Sequence, residues 1–179
     1  MTADDSRAEQ GAARPDSVDD VVTEMRAILP RSDLSSLQLV SRMLRVVRVF
    51  EQRREVLLKK YDLEPWSFDM LAAIRRSERQ RLQPGELLAA TLVTSGTMTT
   101  RLNSLEKRGL IARSRDGRDG RKVQVRVTPT GRRRIDAAFE DVLQCQRDLI
   151  ADLDPGQRET LEDLLRRILA SNDTNTAIH

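Results

Sequence analysis

Four short hydroxyl side chains, Ser95, Thr97, Thr100 and Ser104, surround one guanidinium, Arg101. Hydroxyls and guanidinium groups donate to phosphate oxygens and to base edges, so this set is suited to holding and reading duplex DNA. Arg118 and Arg121 follow in the glycine-containing stretch Arg115-Asp116-Gly117-Arg118-Asp119-Gly120-Arg121-Lys122. An arginine at a narrow loop tip can enter a minor groove, where negative potential is deepest. Asp119 there either fixes an arginine by an ion pair or belongs to the turn itself. A second set, Trp66, Asp69, Arg101 and Arg113, combines an aromatic surface, an acceptor and two cations, the parts of a pocket for a small aromatic or anionic molecule. The competing roles are a plain Asp–Arg ion pair for Asp69 and core packing for Trp66.

The distribution of charge points the same way. The 179-residue chain carries 31 Lys or Arg, 28 Asp or Glu and a formal net charge of +3. Residues 101–134 alone hold 12 basic residues against three acids, Glu106, Asp116 and Asp119. Such crowding repels itself unless a polyanion or counterions relieve it.

Enzymatic chemistry lacks its parts. The one histidine is His179, the last residue, and neither a glycine-rich phosphate loop nor a metal-ligand cluster occurs. No metal or cofactor is therefore expected. The one cysteine, Cys145, excludes a disulfide framework and fits a reducing cytosol. Its neighbours Asp141, Gln144, Gln146 and Asp148 outweigh the single cation Arg147, so packing is expected rather than a reactive thiolate. The longest apolar run, Met70 to Ile74, is far short of the roughly 20 residues a membrane span needs. The polar, acidic start MTADDSRAEQ lacks a signal-peptide layout, and a cytoplasmic protein is expected.

Periodicity supplies the elements that would position these groups. Residues 1–16 read as a disordered tail and 17–29 as a short amphipathic helix ending before Pro30. A long helix from Leu34 to Tyr61 places Leu37, Val40, Leu44, Val47 and Phe50 on one side, with Arg42, Arg45, Arg48, Arg53 and Arg54 as its wet side. Pro65 opens a helix carrying Phe68, Leu71 and Ile74. A short helix from Gly85 to Leu92 precedes one from Ser95 to Arg108, with Ser95 as N-cap and Gly109 as its stop. Taking Met98 as inward, Leu102 and Leu105 share its face while Thr97, Thr100 and Ser104 point outward, with Arg101 on the shoulder. Leu110–Arg115 and Lys122–Thr128 alternate around Asp-Gly pairs, as a β-hairpin does. Thr128-Pro129 restarts helix to about residue 153, and Asp154-Pro155-Gly156-Gln157 opens a last helix to Ala170, leaving 171–179 frayed.

The expected fold is mainly α with a small β-hairpin wing: a winged helix-turn-helix with N- and C-terminal dimerisation helices. Its parts are a tail (1–16), N-terminal helices for dimerisation and the pocket (17–62), the DNA-binding domain (63–128), C-terminal dimerisation helices (129–170) and a frayed end (171–179).

Pro84-Gly85-Glu86-Leu87, Ser95-Gly96-Thr97-Met98-Thr99-Thr100-Arg101-Leu102, Leu105-Glu106-Lys107-Arg108-Gly109-Leu110-Ile111, Asp119-x-Arg121 and Val127-Thr128-Pro129-Thr130-Gly131-Arg132 together resemble the MarR family of transcriptional regulators. The resemblance spans roughly residues 34–170. It implies a homodimer with interlocked terminal helices and two winged domains on successive major grooves of a pseudo-palindromic operator. The extra N-terminal helix, Leu29-Pro30-Arg31-Ser32-Asp33-Leu34, Phe68-Asp69-Met70-Leu71 and Ser95-Gly96-x-Met98-Thr99 are further similar to the PecS/HucR-like branch, which includes urate-responsive regulators. That likeness implies an effector pocket using Asp69, Arg101 and Arg113. Met25 stands where the branch has a tryptophan, and Gly120 stands where its wing has an arginine.

The sequence thus predicts a cytoplasmic, homodimeric repressor that binds double-stranded DNA and is released by a small aromatic or anionic effector, urate-like or phenolic. A winged-helix protein-interaction module without sequence-specific readout is the alternative.

Overall fold

The computed structural model describes residues 14–91, 95–115 and 123–176. Along them run α1 (Ser17–Ile28), α2 (Ser35–Lys59), α3 (Pro65–Arg76), β1 (Arg81–Leu82), α4 (Pro84–Thr91), α5 (Ser95–Lys107), β2 (Ile111–Arg115), β3 (Val123–Val127), α6 (Pro129–Leu149) and α7 (Pro155–Thr176). The chain forms two compact units, one ending at Val49 and one beginning at Phe50, so the division falls inside α2.

In the first unit a capping box starts α1. Asp16 accepts from the Val18 N–H at 2.7 Å, and the Asp16 N–H donates to Asp19 at 2.7 Å. Asp16 is therefore a cap, whereas the sequence reading placed it in the disordered tail; residues 1–13 lie outside the described residues. Val18, Val22 and Leu34 are buried together, with Met25 and Leu37 packed on them. Arg42 reaches back to Asp16 at 2.9 Å and to Asp19 at 2.6 Å. These hydrogen bonds to Arg42 and to backbone N–H groups hold both carboxyls below their ordinary values. The expected apolar side of α2 exists, but Val40, Leu44 and Val47 are more than half exposed.

The second unit holds the main core. Pro65 occupies the first turn of α3, where its missing N–H costs nothing. Ser67 closes that turn by accepting from the Glu64 N–H at 2.9 Å and donating to the Glu64 carbonyl at 2.8 Å. From there α3 buries Phe68 and every residue from Met70 to Ile74 against Leu87 of α4, Met98, Leu102 and Leu105 of α5, Leu110, Ile111, Val125, and Ile135, Ala138 and Val142 of α6. The sheet is antiparallel in the order β1-β3-β2. Its hairpin register pairs Ile111 with Val127, Arg113 with Val125 and Arg115 with Val123. β1 was not expected, because two residues carry no alternation and the strand exists only through its pairing with β3.

Local signals set the other boundaries. Gly109, at φ 67°, ends α5 as expected. Thr128 caps α6 by accepting from the Gly131 N–H at 3.0 Å. At α7, Gln157 N–H donates to Asp154 at 2.9 Å and Asp154 N–H donates to Gln157 at 3.0 Å, the anticipated reciprocal pair. Two ends differ from expectation by more than two residues. α6 stops at Leu149 instead of about 153, where Ile150 and Leu153 close a turn (3.2 Å). α7 continues to Thr176, past the expected end at Ala170 and through part of the expected frayed segment. The fold is mainly helical with a small antiparallel sheet, a winged helix-turn-helix.

Candidate nucleic-acid interface

α5 is the helix on which the hydroxyl set converges. Met98, Leu102 and Leu105 are buried, while Thr97 and Thr100 are exposed and Ser104 half-buried, matching the outward face read from the sequence. Ser95 is the first helical residue rather than the N-cap, and its side chain lies outside the described residues. Asn103 and Lys107 share the open side and were missed. The same helical arithmetic finds Asn103, about 140° round from Met98.

The three arginines on or beside this helix have different surroundings. Arg108 is tied to Glu64 at 2.7 Å and to the Asp62 carbonyl, and Arg134 of α6 reaches the Asp62 carboxylate at 2.5 Å. Burial by itself would raise the Glu64 carboxyl, but hydrogen bonds from Arg108, the backbone and Ser67 outweigh it and hold the group below its ordinary value. Arg113 is tied to Glu106 through Nε at 2.9 Å and to Asn103 at 2.7 Å. Its hydrogen bond is the main cause that lowers the Glu106 carboxyl. Arg101 instead lies over the Trp66 ring, its guanidinium carbon 5.3 Å from the centroid.

At the base of the wing, Arg81 stands directly opposite Arg126, a like-charge pairing that weakens a sheet. Arg132 bonds the neighbouring Gln80, and among the described residues none of Arg81, Arg126, Arg132 and Arg133 has a carboxylate partner. The wing residues Arg118, Asp119 and Arg121 lie outside the described residues.

The expected pocket set is divided. Asp69 lines a cavity of about 470 Å³ with Arg54, Arg76, Phe68, Phe139, Thr91 and Gln146. Arg113 lines another, of about 360 Å³, with Leu88, Met98, Leu102 and Val123. Asp69 and Arg113 thus face different spaces, and Trp66 meets Arg101. Met25 packs within the N-terminal unit, on the Val18 cluster.

Asp69's partner is Arg54, which the sequence reading placed on the wet side of its helix. The structure corrects this: the Arg54 side chain is only 12% exposed, bonded to Asp69 at 2.7 and 3.2 Å and to Glu51 at 3.0 Å, with Phe50 5.6 Å from its guanidinium. Its Nε is buried and has no hydrogen-bond partner among the described residues. Burial works against the charge on Arg54, and the hydrogen bond and charge of Asp69 more than offset it, so its pKa is raised. Cys145 is buried and lines a third cavity, of about 710 Å³, with Val56, Leu57, Lys60 and Asp141.

Among the described residues no helix is long and apolar enough to cross a membrane, and no group of His, Cys, Asp and Glu could hold a metal ion. The MarR family model matches residues 61–122. The chain is 27% identical over 157 residues to the HTH-type transcriptional regulator PecS of Dickeya dadantii, covering 87% of this chain and 95% of PecS. It is 30% identical over 122 residues to the HTH-type transcriptional regulator SarZ of Staphylococcus haemolyticus, covering 64% of this chain and 76% of SarZ. Among solved structures it is similar to Bordetella bronchiseptica BpsR, whose DNA binding is regulated by 6-hydroxynicotinic acid. That match has a TM-score of 0.57 and 26% identity, over 69% of this chain and 90% of that one. These relatives are regulators of transcription rather than enzymes, and the chain belongs to the MarR family.

Proposed function

We propose that the protein is a homodimeric repressor that binds a pseudo-palindromic operator in the cytoplasm and releases it when a small aromatic acid binds. The observation that carries the DNA reading is the face of α5: a buried apolar stripe behind, and Thr97, Thr100 and Lys107 open in front. Helices of this kind enter the major groove, where their hydroxyls and cations meet phosphates and base edges. On this reading Ser95, Thr97, Thr100, Arg101 and Ser104 contact DNA from α5, and Arg118 and Arg121 from the wing. The arginines at the wing base, which have no carboxylate partner among the described residues, fit a polyanionic partner.

Homodimerisation is supported by the apolar side of α7, where Leu161, Leu164, Leu165, Ile168 and Leu169 are 36 to 61% exposed. The first half of α2 leaves a comparable set open, and patches of this kind mark protein–protein contacts. The effector reading is supported by the cavity of Arg54, Asp69 and Arg76, which pairs cations with the Phe68–Phe139 aromatic wall (centroids 5.1 Å apart). An aromatic carboxylate matches both. The BpsR relationship makes a hydroxynicotinate-like acid the natural first probe. Binding there releases DNA only if the acid favours the conformation that binds DNA poorly.

Light scattering should give twice the chain mass. Mobility shifts should select one duplex over random polymer, and Arg121→Ala should weaken that binding several-fold and lower its salt slope by about one. A monomer, or equal affinity for every duplex, would overturn the proposal. Thermal shifts with aromatic acids should show stabilisation, together with loss of the DNA complex. Stabilisation without release would remove the effector role.

A further inference from the structure

We propose that Trp66 is the positioning residue for Arg101, the single arginine of α5, and presents that guanidinium to DNA. The inference rests on the DNA reading above and concerns which residues make it specific.

Arg101 and Leu105 of α5 and Arg108, the residue just past its end, fall on one side at spacings of four and three. That side meets the start of α3: Leu105 is buried, Arg108 holds Glu64 and Arg101 lies on Trp66. Arg108 and Arg113 spend their donors on carboxylates and an amide within the protein. Arg101 has no such partner among the described residues, although it is half-buried. A guanidinium has two independent surfaces. Its π-face stacks on an aromatic ring while its five N–H groups point outward in the plane of the group. The cation–π contact with Trp66 restricts the Arg101 side chain without using any donor in a hydrogen bond, and leaves its N–H groups for paired acceptors such as those of guanine.

Trp66 itself is held firmly. It follows Pro65 in the first turn of α3 and packs against the main core. An arginine ordered in advance loses less conformational freedom when it binds, which appears as affinity.

The test is a double-mutant cycle of Trp66→Leu and Arg101→Ala, with Trp66→Phe as the conservative variant. The probe is a duplex enriched by the wild-type protein from a random library. Trp66→Leu should weaken binding about five-fold and Trp66→Phe less than about two-fold, as loss and retention of one cation–π contact require. In the Arg101→Ala background, Trp66→Leu should cost nothing further. Trp66 is also the single tryptophan, so its emission should change on Arg101→Ala in the free protein. Equal losses in both backgrounds, or no rescue by phenylalanine, would overturn the positioning role. If no duplex is enriched at all, the DNA reading fails first and this inference with it.

Discussion

Gly131→Ala should lower the melting temperature by about 6–12 °C, with the change confined to folding rather than to any surface chemistry. Gly131 sits in the first turn of α6, where a Cβ would lie far inside contact distance of the Leu110 carbonyl oxygen and 2.8 Å from Cγ1 of Val127. Neither neighbour can yield easily. The Leu110 carbonyl accepts from the Thr128 N–H at 3.0 Å, the Thr128 hydroxyl donates to the adjacent Gly109 carbonyl at 2.6 Å, and the same threonine caps α6. Shifting it moves the cap, the end of β3 and the start of β2 together. Overpacking a fixed site costs about 3 kcal/mol at its upper range, and each kcal/mol is about 2–4 °C in a domain of this size. Gly85→Ala is the control. Gly85 lies in the first turn of α4 with nothing within 4 Å of the added methyl, so the variant should match or slightly exceed wild type. Calorimetric scans of both variants decide the matter. A Gly131→Ala protein melting within about 2 °C of wild type would mean that α6 moves off the sheet freely.

The residues around that glycine show what kind of information the sequence carries openly. Thr128-Pro129, Asp154 with Gln157, and Gly109 are local signals, each satisfied by partners within three residues or by its own backbone angle. The hairpin is legible for the same reason, since Val123, Val125 and Val127 alternate with polar neighbours. β1 is not, because it is defined by a strand some forty residues later in the chain. In the candidate site, the buried stripe of Met98, Leu102 and Leu105 fixed which hydroxyls face out. Partner choice was beyond reach: nothing local tells that Arg108 and Arg113 are occupied while Arg101 lies on Trp66. The exposed Val40, Leu44 and Val47 make the same point, since periodicity identifies an apolar side without identifying the surface that covers it.

Arg54 was legible by register and hidden by type. The stripe Leu37, Val40, Leu44, Val47 continues at the same spacing through Glu51, Arg54 and Leu58, and Leu58 is fully buried. Charge alone argued for the wet side; position argued for the interior, and position prevailed because Asp69 and Glu51 supply the compensating charge.

Asp69→Ala should therefore destabilise the protein by about 2–3 kcal/mol, below the range of about 3–5 kcal/mol for breaking a fully buried pair, because Glu51 remains and Asp69 is itself 44% exposed. The loss comes from leaving Arg54 charged and poorly compensated in a nearly closed setting. Replacing both partners, as Arg54→Met with Asp69→Leu, should recover most of the stability, since apolar side chains of similar size need no compensation. The same logic distinguishes a structural pair from an effector site. A carboxylate such as benzoate that enters this cavity can take the place left by Asp69, so it should raise the melting temperature of Asp69→Ala more than that of wild type. It should do nothing for the double variant, which has no cation at position 54. Chemical denaturation of the three proteins, with and without benzoate, measures both effects. An Asp69→Ala protein within about 0.5 kcal/mol of wild type would reduce the pair to an ordinary surface contact. Equal benzoate shifts in all three proteins would place the acid somewhere other than Arg54.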